Sequence, residues 1–278
     1  VTPDHHTTPR RLSVNASTTF LRNAIAATVL ASLAHVALAD QLDDIKKAGK
    51  IRIAVAMGSP LYSFADANMQ PAGSDVETAQ LLAKDLGVQM EMVSITNAAR
   101  IPTLQANKAD IDVADLSITE ERKKVVDFSK PYAVITIIMA APKNVAIKDY
   151  ADLKGKRIGL TRATVNDTMT TQLAKDAEIV RYEDDATLIT SVVTGQVEVW
   201  SSTPANLGEI VKRAPQLNME KKFDQKDFDL GIAMQKGQPR LKEWIDAWVV
   251  TNMKNGKLNA IYKKFHGRDL PTSVTAQQ

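Results

Sequence analysis

The chain has 278 residues, 44% of them hydrophobic and 24% charged, with no cysteine and a formal net charge of +3. Without cysteine there is no disulfide framework and no thiol chemistry. Setting aside the first 39 residues, where Arg10, Arg11 and Arg22 stand against Asp4, leaves 32 basic and 31 acidic residues. That balance argues against a nucleic-acid or membrane surface.

At the N-terminus three arginines precede an apolar run over 24–34, and Ala37, Leu38 and Ala39 form an A-x-A site just before Asp40. Charge, short apolar core and small-residue site in that order predict a secretory signal peptide over 1–39. The run is about half the length that a bilayer span needs. With no cysteine after the signal to carry a lipid, the expectation is an unanchored periplasmic protein. The remaining 40–278 suits one large domain or two lobes of roughly 110 residues each.

In chain order, IRIAVA (51–56) predicts a buried strand. SDVETAQLLAKDLG predicts a helix whose apolar face is Val76, Ala79, Leu82, Ala83 and Leu86, closed by Gly87. VQMEMVS predicts a strand, AARIPTLQAN a short helix and DIDVAD another strand. The alternation marks an α/β sheet. DLSITEERKK then looks like a helix start, with Ser117 and Thr119 as caps and Glu120 and Glu121 facing the positive dipole end. Arg122 is the anomaly, a cation in that first turn. Next to unpaired N–H groups it would complete a carboxylate site with Ser117, or else it pairs with Glu120 or Glu121.

After the strand ITIIMAA a second α/β run begins: a strand over 157–160, a helix over 165–175, the strand EIVRY, the helix DATLITSVVTG and the strand VEVWSS. Helices over 239–255 and 257–265 close the chain. LQANKADIDVAD (104–115) and VVTGQVEVWSST (192–203) share one plan, a helix end, a left-handed cap residue (Asn107, Gly195), an acid and a strand. Aligned on Asp110 and Glu198, their strand tips are Asp115 and Thr203. Ligands in open α/β sheets sit beyond the carboxyl ends of strands, so both tips are pocket candidates.

Reactive groups are scarce. Beyond residue 39 His266 is the one histidine, and no phosphate loop, H-E-x-x-H or calcium loop occurs. No catalytic residue, metal or cofactor is expected. The pattern offers binding groups.

LSITEERKKVVDFSKPY (116–132), with GSDVETAQLLAKDLG upstream and ADLKGKRIGL downstream, resembles the family-3 extracytoplasmic solute-binding proteins, the polar amino-acid receptors of ABC importers. The likeness runs in matching order over about 40–271. It implies an α/β protein of the type II periplasmic-binding architecture, two α/β lobes joined by a two-strand hinge near 131–137 and 228–232. The first lobe would be 40–135 with 228–272, the second 136–227, and 273–278 a C-terminal tail. The resemblance assigns Arg122, helped by Ser117, to a ligand α-carboxylate, completed by Thr164 and Val165 from the second lobe, where the usual glycine is Ala163. Relatives commonly hold the α-ammonium with an Asp at the place of Thr203. Here Asp115 would take it over; otherwise it pairs with Arg100 or Arg122, or the ligand has no amine. Arg100 suggests an acidic or amide-bearing solute, the alternatives being a bond to Asp115 or a helix cap. Tyr62 matches a stacking aromatic, with Ser59 beside it, while Phe64 and Trp200 read as core.

The implied protein is a non-enzymatic monomer that closes on a small amino acid or related carboxylate and docks on an inner-membrane ABC permease. A receptor that signals to a membrane kinase is the first rival, and a dehydratase using Asp115 the second.

Overall fold

The structure, a computed structural model, describes residues 41–277; the expected signal peptide lies outside the described residues. The first helix of the described residues, α1 (Gln41–Ala48), leads into β1 (Lys50–Ala56), whose last four residues are buried. A two-stranded ribbon, β2 (Phe64–Ala65) and β3 (Pro71–Ala72), precedes α2 (Ser74–Leu86). As its 3.6-residue periodicity predicts, α2 buries Val76, Ala79, Leu82 and Ala83 and stops at Gly87 in the left-handed region, with φ 78°. Then come β4 (Gln89–Ile95), α3 (Arg100–Gln105), β5 (Ile111–Asp112), the single turn α4 (Glu120–Lys123) and β6 (Asp127–Pro142).

The second run contains β7 (Arg157–Thr161), α5 (Val165–Leu173), β8 (Glu178–Tyr182), α6 (Asp185–Val193), β9 (Val199–Ser202) and α7 (Pro204–Arg213). The chain returns along β10 (Met219–Met234) and ends with α8 (Pro239–Lys254), α9 (Lys257–His266) and α10 (Thr272–Thr275).

One eight-stranded sheet, ordered β4-β1-β5-β10-β6-β9-β7-β8, carries all of the larger strands. The flanks are parallel: β1 pairs with β4 and β5 on one side, β7 with β8 and β9 on the other. The centre is antiparallel, with β10 against β6 and β5, and β6 against β9. β6 and β10 are 16 residues each, about three times a usual strand. They therefore reach both halves of the sheet. Apolar packing divides accordingly: Ile51, Ile53, Leu82 and Trp248 belong to one cluster on the β1 side, while Leu188, Ile189, Val197 and Trp200 belong to another on the β9 side.

Three local expectations differ in extent. The strand expected from ITIIMAA starts earlier, at Asp127, and runs through Pro131, whose missing N–H coincides with a register shift at Gly231. DIDVAD gives only a two-residue strand, because the chain turns at Asp115, φ 44°. The helix start at Thr119 yields one turn before the chain enters β6 at Asp127. Trp200 is fully buried, and Phe64 packs on Phe265 with ring centroids 6.3 Å apart.

Gly73, with φ 124°, lets the ribbon deliver α2 against the loop at 59–63. Ser74 N donates to Leu61 O at 2.9 Å and Asp75 N to Tyr62 O at 2.9 Å. A Cβ at position 73 would lie 2.2 Å from the Tyr62 carbonyl oxygen. Gly73→Ala is expected to destabilise the protein by more than about 2 kcal/mol, read as a fall in the urea midpoint.

Candidate functional site

The segments at the carboxyl ends of β4, β5, β7, β8 and β9 converge on a small cavity beside β6. Its volume is about 20 Å³, and Arg100, Asp115, Ser117, Arg122, Thr164 and Thr203 line it together. That is room for about one water molecule.

Arg122 enters from α4. Thr119 caps this turn, accepting from Arg122 N at 3.2 Å. The guanidinium donates through Nη1 to Ser117 O at 2.9 Å and through Nη2 to Ala163 O at 3.0 Å. Glu120 and Glu121 pair instead with Lys123 and Lys124. Among the described residues Arg122 makes no ion pair. Burial, and then the neighbouring charge of Arg100, lower its pKa to about 9, so it stays cationic at neutral pH.

The bond to Ala163 joins the two flanks of the sheet. Ala163 occupies the left-handed region, φ 58°, at the turn between β7 and α5. An alanine there carries backbone strain of roughly 1–2 kcal/mol, which explains why glycine suits this turn. Thr164 caps α5, accepting from Asp167 N at 3.2 Å and donating to Thr161 O at 2.6 Å. Val165, the first residue of this nine-residue helix, thus lines the cavity at the helix's positive end.

Asp115 pairs with Arg100, one of the alternatives that the sequence left open. Arg100 Nη1 donates to Asp115 Oδ1 at 2.9 Å and to Ala114 O at 3.1 Å, and Nε donates to Asn97 O at 2.9 Å. The left-handed backbone at Asp115 is held by Asp75, whose Oδ2 accepts Asp115 N at 2.6 Å while Oδ1 accepts the Tyr132 hydroxyl at 2.8 Å. Burial raises the Asp115 carboxyl to about 6 against the pull of Arg100. Burial, then the charge of Asp115, also raises Asp75 well above the carboxylate range.

Thr203 caps α7, accepting from Asn206 N at 3.2 Å. Ser59 donates to Asp185 Oδ2 at 3.0 Å. Tyr62 is turned away from the small cavity. It lines a neighbouring groove of about 820 Å³, shared with Thr203 and His266, and its ring meets the His266 ring edge-on at 4.7 Å. Burial, then the charge of Arg268, lower the His266 pKa to about 4.

Six residues that line the small cavity escaped the sequence reading of the site: Asn97, Ile135, Ile137, Asn166, Asp185 and Ser202. Asp185 is the first residue of α6, and Asn97 Oδ1 is buried without a hydrogen-bond partner among the described residues. The offset that aligns Asp110 with Glu198 and Asp115 with Thr203 also aligns Asn97 with Asp185. For these two the internal repeat therefore held the signal.

Residues 51–268 match the family model of bacterial extracellular solute-binding proteins, family 3. The chain belongs to this family. Its fold is the two-lobed type II periplasmic-binding architecture, and its family's work is binding rather than catalysis. This solute-binding protein is 26% identical over 263 residues to the L-cystine-binding protein TcyJ of Escherichia coli strain K12, covering 90% of this chain and 96% of that one. It is 28% identical over 236 residues to the ABC transporter glutamine-binding protein GlnH of Bacillus subtilis strain 168, covering 83% and 86%. The crystal structure of the solute receptor for L-cysteine of Neisseria gonorrhoeae superposes with a TM-score of 0.75 at 29% identity, covering 81% of this chain and 92% of that one.

Asp112, the last residue of β5, is fully buried, with neither carboxylate oxygen hydrogen-bonded among the described residues. Burial raises its pKa to about 7, opposed by Arg100 and Arg122. Because the folded value lies above the unfolded one, the folded state binds the extra proton between about pH 4 and 7, and stability falls as pH rises through that window. Asp112→Asn should therefore gain about 1–3 kcal/mol at pH 8 and little at pH 4. Urea denaturation at the two pH values checks this, and an equal change at both contradicts it.

Proposed function

We propose that this protein captures a polar α-amino acid, with an amide or acidic side chain, between its two lobes in the periplasm and delivers it to an ABC permease. The observation that carries the reading is Arg122, a guanidinium facing the cavity with no carboxylate of its own among the described residues, placed between Ser117 and the Ala163–Thr164 turn. A solute α-carboxylate takes that place, held by Arg122 and Ser117 from one lobe and by Thr164 and the Val165 amide from the other.

Of the two, the remaining contacts favour the amide over the acidic side chain. Arg100 is charge-matched by Asp115, and the open acceptor on Asn97 suits an amide donor. Tyr62 covers the groove side and Thr203 lies where cavity and groove meet. The lobes are proposed as 40–135 with 228–272, and 136–227, turning on β6 and β10. A cavity of about 20 Å³ is too small for an amino acid, so the solute enters with the lobes parted and closure completes its contacts. Micromolar affinity requires about −8 kcal/mol, within reach of a few charge-assisted bonds of roughly 1.5–3 kcal/mol each after ordering costs.

Calorimetric titration of the purified protein with the common L-amino acids and L-cystine tests the reading. At least one is expected to bind, and Arg122→Ala should weaken it by roughly 100-fold. Failure of the whole panel, or unchanged affinity in the variant, would overturn it.

A further inference from the structure

Four ionisable side chains line the cavity, Arg100, Asp115, Arg122 and Asp185. Arg100 and Asp115 neutralise each other at 2.9 Å. Among the described residues the other two stand without ionic partners. Asp185 is 5% exposed, and its carboxylate accepts only from neutral hydroxyls, Thr161 Oγ1 at 2.5 Å and Ser59 Oγ at 3.0 Å. Among the described residues no cation lies within ion-pair distance of it. A buried carboxylate without a counter-charge is costly, and its place in the first turn of α6 offsets only part of that cost.

The unmatched charges are thus one guanidinium and one carboxylate. They complement a zwitterion. We propose that Asp185 is the residue that receives the solute's α-ammonium, in place of Asp115 or Thr203. Thr203 has no charge, and its oxygen is engaged by Asn206 N. Asp115 has its own cation in Arg100, and its backbone is fixed by Asp75. Asp185 keeps lone pairs open after its two hydroxyl bonds. The bond from Ser59, on the loop after β1, to Asp185, at the start of α6, bridges the two flanks just as the bond from Arg122 to Ala163 does. A zwitterion held by Arg122 and Asp185 would span the same gap by both of its ends.

The inference rests on the reading that Arg122 holds the α-carboxylate. Its test compares the tightest-binding L-amino acid of the panel with the same acid lacking the α-amino group, in the wild-type protein, Asp185→Asn, Asp185→Ser, Asp115→Asn and Arg122→Ala. Wild type is expected to favour the amino acid by roughly 30-fold or more, and both Asp185 variants to bring that preference within a few-fold. Arg122→Ala should weaken both compounds together, since they share the carboxylate. Melting curves identify the variants that fold, and the two Asp185 substitutions keep the comparison available if one does not. A preference that survives in a folded Asp185 variant, or that is lost only in Asp115→Asn, overturns the assignment and leaves the receptor reading standing. If no amino acid binds the wild type, the receptor reading fails and this inference with it.

Discussion

A guanidinium in a narrow cleft must be met by oxygen atoms, and the oxygens that meet Arg122 come from both sides of the molecule. Ser117 O belongs to the segment that carries Arg122, whereas Ala163 O belongs to the turn between β7 and α5. The rest of the site is arranged around that bridge. Asp75 and Tyr132 fix the left-handed turn at Asp115, so that Arg100 is neutralised without drawing on Arg122. Ala163 tolerates an unfavourable backbone conformation that aims both its carbonyl and the start of α5 at the same point. An anion entering here would replace carbonyl oxygens with a full charge, a stronger partner for the same donors.

The sheet makes such an exchange mechanically plausible in a specific way. Its flanks have separate apolar clusters, and the antiparallel pair β6 and β10 runs through both. β10 changes register against β6 at several points, including Gly231 beside Pro131, where the ladder is least regular and bending costs least. On the proposed reading, binding energy gained in the cleft is spent on bringing the flanks together, and the closed surface is what a permease would recognise.

Local patterns were legible in the sequence because they depend on neighbours along the chain. The apolar face of α2, the glycine that ends it and the hydroxyl cap at Thr119 all follow from spacing within a few residues. The family resemblance reached further and assembled most of the cavity lining. What stayed hidden depended on distant contacts. The partner of Asp115 was undecided between Arg100, Arg122 and the solute, because spacing cannot say which cation a buried carboxylate meets. Asp185 drew no assignment, standing only as the first letter of the helix DATLITSVVTG. Its burial, and the hydroxyls of Ser59 and Thr161 that converge on it, exist only once β1 and β7 lie in one sheet. Tyr62 was assigned by position alone, and its packing against His266 turns it to the groove.

The central claim is that a solute carboxylate at Arg122 draws the two lobes together. Small-angle X-ray scattering of the purified protein, with and without the tightest-binding amino acid, tests it most directly. A radius of gyration that falls on addition to the wild type and stays constant in Arg122→Ala at the same concentration is the predicted result. No change in the wild type, or an equal contraction in the variant at full occupancy, would contradict the account.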